Sequence, residues 1–414
     1  MNLSRALLLR LLATDTVSPL ETGECSGGLW PAQRDYAAAA AELGFTVARH
    51  AAPDAAAVTG TEIPAAVRRA VAAGPDFLAT QPSLVLRLGP ARAPARTVMF
   101  NVHLDTVAGV EPVREEPGRI YGRGAVDAKG PAVALLAGVR AALETEPGLT
   151  DRITVLIQAV AGEEGGAMGV FGTRPLVRDG FTGRINLFCE PTGGRLLDHC
   201  TAAMTACVTV SGEDAIDDRP GAGHNATVLL GYLAQHLGAV LPGVCVAGLQ
   251  TGDSHNKVYG HGRLLLNLPY DDPEAGRALA AATERAVEDG LADFQKAFQD
   301  VPVLARTAAD ATAVTRLAWL KRDLPALTPT ADPAARTLLE KHAGLPRWPA
   351  GEPGFTCDAI WMQGVPGAYT AVFGPGDLAA NRAHAAGEYV EVADLERYAA
   401  AIDRVLVQFS RFES

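Results

Sequence analysis

Three things are scarce in this sequence: cysteine, positive charge and long apolar runs. The six cysteines show no C-x-x-C spacing, which predicts reduced thiols and a cytoplasmic location rather than a disulfide framework. The formal net charge of -11 argues against nucleic acid or an anionic membrane surface as a partner, because both favour a basic face. No segment approaches the roughly twenty uninterrupted apolar residues that a membrane span requires.

The length of 414 residues exceeds what one ordinary hydrophobic core supports, so we expect two domains. Up to Cys189, apolar strands alternate with helices, a pattern typical of an α/β fold with a mostly parallel, helix-covered sheet. After Gly193-Gly194 the order becomes strand-helix-strand-strand-helix, which predicts a small inserted α+β domain. The expected boundaries are residues 1–198 and 308–414 for the two parts of a catalytic domain and 199–307 for an inserted lid or dimerisation domain.

Polar residues follow directly on a buried strand near residue 100. The apolar run from Val98 to Val102 is followed by His103 and Asp105, which lie two apart and point to the same side of an extended chain. A glycine-rich stretch then places Asp127 just before an apolar helix. The simplest alternative is that these residues only cap a strand and a helix. Acidic groups further along the chain argue against that alternative.

Carboxylates also follow the next two predicted strands. The strand from Ile153 to Val160 is followed by the adjacent pair Glu163 and Glu164, and a later strand is followed by Glu190. Adjacent carboxylates repel, so such a pair is tolerable where one binds a cation and the other can take up a proton. With His384 there are two imidazoles and several carboxylates on separate loops. This set suits two divalent ions about 3.5 to 4 Å apart.

The motifs HLDTV, YGRGAVDAKGP, the Glu-Glu pair, EPT, and FGPG followed by a histidine and EYV occur in this order. Together they resemble the dinuclear-zinc aminoacylase and carboxypeptidase family, peptidase family twenty. That family contains acetylornithine deacetylase, succinyl-diaminopimelate desuccinylase and the hydrolase that releases lysine or ornithine from an amino-group carrier protein. The sequence around Asp127 most resembles that of the last of these enzymes. The resemblance covers nearly the whole chain.

The resemblance implies a role for each motif residue. Two Zn²⁺ per subunit, replaceable by Co²⁺, would be held by five ligands, with Asp127 bridging both ions. These ligands are His103, Asp127, Glu164, Glu190 and His384. Asp105 would orient His103. Glu163 would be the general base that takes a proton from a metal-bridging water and passes it to the leaving amine.

Two departures from the family pattern bear on substrate recognition. Ile216 stands where the family has a histidine that donates a hydrogen bond to the reacting oxygen, and losing such a donor raises the barrier by roughly 3 kcal/mol. Pro269 stands where the family commonly has an arginine that binds the substrate carboxylate. We expect His255, next to a substrate-facing Asn256, to replace the histidine, with His224 as the weaker alternative. Arg263 is the candidate to replace the arginine.

The sequence therefore predicts a zinc-dependent hydrolase of an amide, either an N-acyl amino acid or amine or an isopeptide. The substrate would be a small molecule, free or bound to a carrier protein, and the inserted domain would form a homodimer. An acidic carrier would need a basic rim, for which Arg316, Lys321 and Arg322 are the candidates. Two alternatives remain open: a retained zinc site performing a non-hydrolytic reaction, and a non-catalytic metal-binding homologue.

Overall fold

The computed structural model describes residues 3–109 and 111–412. The chain forms two compact units. The first contains Met1–Cys200 and Leu327–Ser414, and the second contains Thr201–Ala326. In the described ranges, every helix is too short or too polar to cross a lipid bilayer.

The first part of the first unit alternates helices and strands. Its helices are α1 (Arg5–Ala13), α2 (Pro19–Thr22), α3 (Leu29–Ala41), α4 (Ala65–Ala73), α5 (Asp76–Ala79), α6 (Lys129–Thr145) and α7 (Thr173–Arg178). Its strands are β1 (Thr46–Ala51), β2 (Ser83–Leu88), β3 (Thr97–His103), β4 (Arg114–Glu116), β5 (Arg119–Tyr121), β6 (Thr154–Val160) and β7 (Ile185–Phe188). Every residue of β3 and β6 is buried, as their continuous apolar runs predict for central strands.

The second unit is built from longer elements. Its strands are β8 (Ala202–Ser211), β9 (Ala215–Ile216), β10 (Cys245–Gln250), β11 (Lys257–Val258), β12 (His261–Tyr270) and β13 (Thr315–Lys321). Its helices are α8 (Ala226–Val240), α9 (Pro273–Phe298) and α10 (Ala305–Val314). The chain then returns to the first unit with α11 (Pro333–Arg336), β14 (Tyr369–Val372), β15 (Tyr389–Glu391) and α12 (Val392–Arg411).

The main sheet of the first unit has the strand order β1-β2-β6-β3-β7-β14. The pairs β6/β3, β3/β7 and β7/β14 are parallel, whereas β1 and β2 form an antiparallel edge. Helices α6 and α12 pack against each other and join the hydrophobic core. These features confirm the predicted α/β class with a mostly parallel, helix-covered sheet.

The sheet of the second unit is antiparallel, with the order β10-β12-β8-β13. Because β13 pairs with β8, the chain returns to the first unit after Ala326 and not at residue 308 as expected from the sequence. The first boundary lies after Cys200 instead of residue 198. Cys200 and Leu327 exchange both main-chain hydrogen bonds, each 3.0 Å long, so the chain leaves and re-enters the first unit at one point.

Candidate metal centre

Four neighbouring parallel strands, β6, β3, β7 and β14, end at the same edge of the main sheet. The carboxyl edge of a parallel sheet is where α/β proteins bind ligands. His103 is the last residue of β3, Glu164 follows β6 and Glu190 follows β7. The sheet therefore brings together side chains that are far apart in the sequence.

Asp127 lies in a tight turn between β5 and α6. Gly124 in this turn has a φ of 84°, a conformation that favours glycine. A Cβ atom at this position would lie 3.0 Å from side-chain carbons of both Thr106 and Lys129. The glycines of this motif thus let the chain pass close to the end of β3, beside His103.

Glu388 stabilises the same turn, a role that the sequence analysis missed. Its Oε2 accepts a hydrogen bond from Arg123 Nη1 at 2.6 Å, and its Oε1 accepts one from the Val126 N–H at 3.2 Å. Glu388 is only 1% exposed, so this carboxylate is committed to holding the turn that presents Asp127. The only sequence signal was its position in the EYV motif before β15.

The two carboxylate oxygens of Asp127 face different imidazoles. Asp127 Oδ1 lies 2.9 Å from His103 Nε2, and Asp127 Oδ2 lies 3.1 Å from His384 Nε2. Glu190 Oε2 is 3.7 Å from His103 Nε2, and Glu164 Oε1 is 3.0 Å from His384 Nε2. The structure thus brings the five predicted ligands into two half-sites that share Asp127.

His384 reaches this cluster from a loop with unusual backbone geometry. Its φ of 62° lies in the left-handed region, which residues other than glycine adopt infrequently. His103 is fully buried, whereas the His384 side chain is 50% exposed. One half-site is therefore deep in the protein and the other is open to solvent.

The carboxylates make both imidazoles favourable places for positive charge. Burial lowers the pKa of His103, but Glu190, Asp105 and Asp127 raise it, so that the pKa lies well above its ordinary value. Hydrogen bonds with Asp127 and Glu164 raise the pKa of His384 to about 10. Each half-site is therefore electrostatically suited to a cation.

Two of the three ligand carboxylates, Glu164 and Glu190, are unfavourable as buried anions, whereas Asp127 is stabilised as an anion by the imidazoles. Burial raises the pKa of Glu164 to about 7 although the hydrogen bond with His384 opposes the shift. Burial also raises the pKa of Glu190, against the opposing charge of His103. For Asp127 burial raises the pKa, but hydrogen bonds with His103 and His384 bring it below its usual range.

The donor set fits divalent metal ions. Ligand atoms of His103, Asp127 and Glu164 all lie within 4.8 Å of one another. Imidazole nitrogens and carboxylate oxygens are the usual ligands of zinc in catalytic sites. Cations would also neutralise carboxylates that are costly to bury alone.

Glu163 differs from its neighbour Glu164 in having no partner. Among residues 3–109 and 111–412, its carboxylate makes no hydrogen bond or ion pair. Burial raises the pKa of Glu163 well above its ordinary value, and the nearby carboxylates of Glu190 and Glu164 raise it further. A carboxylate of this kind, held beside the cluster but unengaged, is available to exchange a proton.

Asp105 contacts His103 in a different way from the one expected. The main-chain oxygen of Asp105 lies 2.9 Å from His103 Nδ1, whereas its carboxylate Oδ1 is 3.7 Å away. The other carboxylate oxygen, Oδ2, accepts hydrogen bonds from the N–H groups of Gly162 (3.0 Å) and Glu164 (3.1 Å). The carboxylate therefore holds the loop after β6, and the main chain orients the imidazole.

The predicted substrate-binding residues all belong to the second unit. His255 and Asn256 lie exposed in the loop before β11, and Arg263 on β12 donates a hydrogen bond to Gln250. Ile216 is 58% exposed on β9, opposite Lys257. Their roles toward a substrate stay predictions.

His224 and the three candidate rim residues already have local partners or are largely buried. The His224 ring accepts from the Glu213 N–H and lies 3.1 Å from Asp310 Oδ2, so both ring nitrogens are engaged. Arg316 donates to main-chain oxygens beside it, and Arg322 pairs with Asp323. Burial lowers the pKa of Lys321. The second unit thus shows no prepared basic rim among these three residues.

Two imidazoles and three carboxylates at the carboxyl edge of a mostly parallel sheet, with an inserted antiparallel unit, are features of the metallopeptidase class. The match to a family model is direct. The chain belongs to peptidase family M20/M25/M40, whose model matches residues 99–408. This confirms the family resemblance found in the sequence.

The chain is also similar to a curated hydrolase. An inferred LysW-lysine/LysW-ornithine hydrolase of Aeropyrum pernix is 32% identical over 201 residues, which cover 48% of this chain and 54% of the relative. The chain thus spans about half the length of this curated relative.

Solved structures share the fold. A tripeptidase from Staphylococcus aureus aligns over 100% of both chains with a TM-score of 0.71 and 15% identity. A Bacillus subtilis protein described as a dinuclear metal-binding peptidase of the M20 family aligns over 97% of this chain and 96% of its own, with a TM-score of 0.62 and 12% identity.

Proposed function

We propose that the protein is a metal-dependent hydrolase that cleaves an amide bond in an N-acyl amino acid, an N-acyl amine or an isopeptide. It would hold two divalent ions, zinc in the first instance, with cobalt able to substitute. His103, Asp127 and Glu190 would hold one ion, and Asp127, Glu164 and His384 the other. The single observation behind this proposal is that Asp127 turns its two carboxylate oxygens toward two different imidazoles.

When bound, the two cations would supply Lewis acidity that activates water and polarises the scissile carbonyl. Glu163 takes a proton from the attacking water as the new carbon–oxygen bond forms. It then passes that proton to the nitrogen as the carbon–nitrogen bond breaks, which releases a neutral amine. Asp105 keeps Glu163 in place indirectly, because its carboxylate binds the main chain on both sides of Glu163.

The relative from Aeropyrum pernix supports a more specific substrate class. Its name describes hydrolysis of lysine or ornithine linked to LysW. We therefore rank amides of lysine and ornithine, free or attached to a carrier, first among the substrates to test. A homodimer formed by the second unit and a cytoplasmic location stay predictions.

The decisive experiment replaces the base. Glu163→Gln should lower kcat on a panel of N-acyl amino acids by about 10²- to 10⁴-fold, the usual contribution of a general base. Its metal content, measured by elemental analysis, should equal that of the wild type, since Glu163 is not among the ligands. The matched control is Glu144→Gln, an exposed residue on α6, which should leave kcat unchanged. Full activity of Glu163→Gln would contradict the proposal.

A further inference from the structure

A cavity lies in the first unit, next to segments that carry residues of the metal centre. It is a cavity of about 620 Å³ between the end of α1, the loop around Cys25 and the segment that follows Asp105. We refer to this feature as the α1 cavity. Its volume is in the range of pockets that bind small organic molecules.

Three carboxylates line the α1 cavity with free oxygens. Asp15 uses only Oδ1, which accepts from the Val17 N–H at 3.0 Å. Glu111 uses only Oε2, which accepts from the Gly387 N–H at 2.6 Å. Within the described ranges of the chain, the Glu24 side chain has neither a hydrogen bond nor an ion pair. These groups leave unsatisfied negative charge at the wall.

Neither cation of the wall forms an ion pair with these three carboxylates within the described ranges, although the charge of Asp15 raises the pKa of Lys129 against the lowering by burial. Arg123 binds Glu388 at 2.6 Å and also contacts the main-chain oxygens of Gly109 and Ala385. Lys129 is 1% exposed and donates to Thr14 O at 3.1 Å. Both side chains are held in the structure, so the α1 cavity offers anionic groups to a ligand.

Other wall residues define the rest of the ligand. Leu12, Val17 and Val113 provide an apolar surface. Thr106 lines the same cavity, is 1% exposed, and its hydroxyl Oγ1 has no hydrogen-bond partner among the described residues. A buried hydroxyl without a partner is unfavourable, so it favours a ligand with a polar group at this depth. The walls thus suit a short alkyl chain with polar ends.

From this combination we propose that the α1 cavity binds an alkylammonium group of the size found in the side chains of lysine and ornithine. The ammonium would lie among Asp15, Glu24 and Glu111, and the methylene chain against Leu12 and Val113. Charge-assisted hydrogen bonds to carboxylates would fix the ammonium.

Residues that line the α1 cavity lie close in the sequence to the motifs of the metal centre. Thr106 follows Asp105, Lys129 lies two residues after Asp127, and Glu111 binds the main chain three residues after His384. We assign the cavity to the charged side chain of the amine that hydrolysis releases. This assignment rests on the proposed function, whereas alkylammonium binding by itself does not.

Direct binding tests the α1 cavity without any reaction. Titration calorimetry with n-pentylammonium and with n-pentanol compares two ligands of the same length that differ in charge. We expect n-pentylammonium to bind at least about tenfold more tightly than n-pentanol. The double variant Glu24→Gln/Glu111→Gln should weaken n-pentylammonium binding by only about tenfold, because both carboxylates are partly exposed. Glu144→Gln/Glu396→Gln, at two exposed positions, is the control for the loss of two negative charges. Equal binding of both ligands, or unchanged binding in the double variant, would overturn the proposal.

Hydrolysis then tests the assignment to the substrate. Wild-type protein should show a higher kcat/KM for Nα-acetyl-lysine than for Nα-acetyl-norleucine, and the double variant should lose that preference. Equal hydrolysis of both compounds would overturn the assignment and leave the proposed function standing. If neither compound, nor any other acyl amine, is hydrolysed, the proposed function fails, and the calorimetric result alone decides whether the α1 cavity binds amines.

Discussion

Asp105 divides its polar groups between two neighbours of the metal centre. Its main-chain oxygen faces His103, and its carboxylate binds the N–H groups of Gly162 and Glu164. A single buried residue therefore sets the position of a ligand imidazole and of the loop that contains the proposed base. A substitution at Asp105 removes the carboxylate that binds the loop but leaves the main-chain oxygen that faces His103. Variants at this position therefore test the contribution of the carboxylate alone.

Asp105→Ala should destabilise the protein by about 2 to 5 kcal/mol, because two buried N–H groups lose their acceptor. Asp105→Asn keeps an amide oxygen that can accept both bonds, so we expect a loss of only about 1 kcal/mol. Urea unfolding followed by circular dichroism measures both values. Equal destabilisation by the two variants would show that the N–H bonds are not the main contribution.

At the scale of single residues, the ligands were easier to predict than their supports. His103, Glu164 and Glu190 follow apolar strands directly, and this local pattern indicates both a sheet edge and a polar site. Glu388 gives no such signal, because its partners Arg123 and Val126 lie more than 250 positions away in the sequence. The use of the Asp105 main chain in place of its carboxylate depends on backbone geometry that spacing does not reveal.

At the scale of elements, α6 and α12 pack so closely that the contact requires a glycine. A Cβ atom added at Gly138 would lie 2.6 Å from the Ala399 main-chain oxygen and 2.6 Å from Ile402 Cβ. Gly138→Ala should therefore destabilise the protein by about 1 to 2 kcal/mol, because overpacking exceeds the gain of roughly 1 kcal/mol in helix propensity.

Gly238→Ala is the matched control for this substitution. Gly238 lies exposed on α8, and apart from its chain neighbours and the backbone of its own helix no described heavy atom lies within 4 Å of the added Cβ position. The same change should raise the melting temperature there and lower it at Gly138. Differential scanning calorimetry of both variants gives the comparison. A higher melting temperature for Gly138→Ala would contradict the close packing of α6 and α12.

Buried elements with a continuous apolar run were easier to predict from the sequence than partly exposed ones. The strand predicted from Ile153 to Val160 corresponds to β6 within one residue, since a continuous apolar run has a clear local pattern. Strand β13 was missed, and with it the second domain boundary. It is only partly buried, and its partner β8 lies about a hundred residues earlier, so its pairing leaves little local trace.

At the scale of the whole molecule, the metal ions should contribute to stability. Ions present at a thousand times their Kd for the native state add roughly 4 kcal/mol, which for a chain of this length corresponds to a melting temperature about 5 to 7 °C higher. Removal of metal with a chelator should lower the melting temperature and abolish activity, and Zn²⁺ or Co²⁺ should restore both. Calorimetry before and after dialysis measures the change. An unchanged melting temperature would argue against metal at the cluster.

The paired hydrogen bonds between Cys200 and Leu327 indicate where the second unit could be removed from the polypeptide. Since both junctions meet at one bridge, Thr201–Ala326 can be replaced by a two-residue Asn-Gly turn without stretching the remaining chain. The shortened polypeptide still contains all five candidate ligands. We expect it to melt cooperatively and to retain bound zinc by elemental analysis. We therefore expect this position to accept other inserted segments while the first unit keeps its fold.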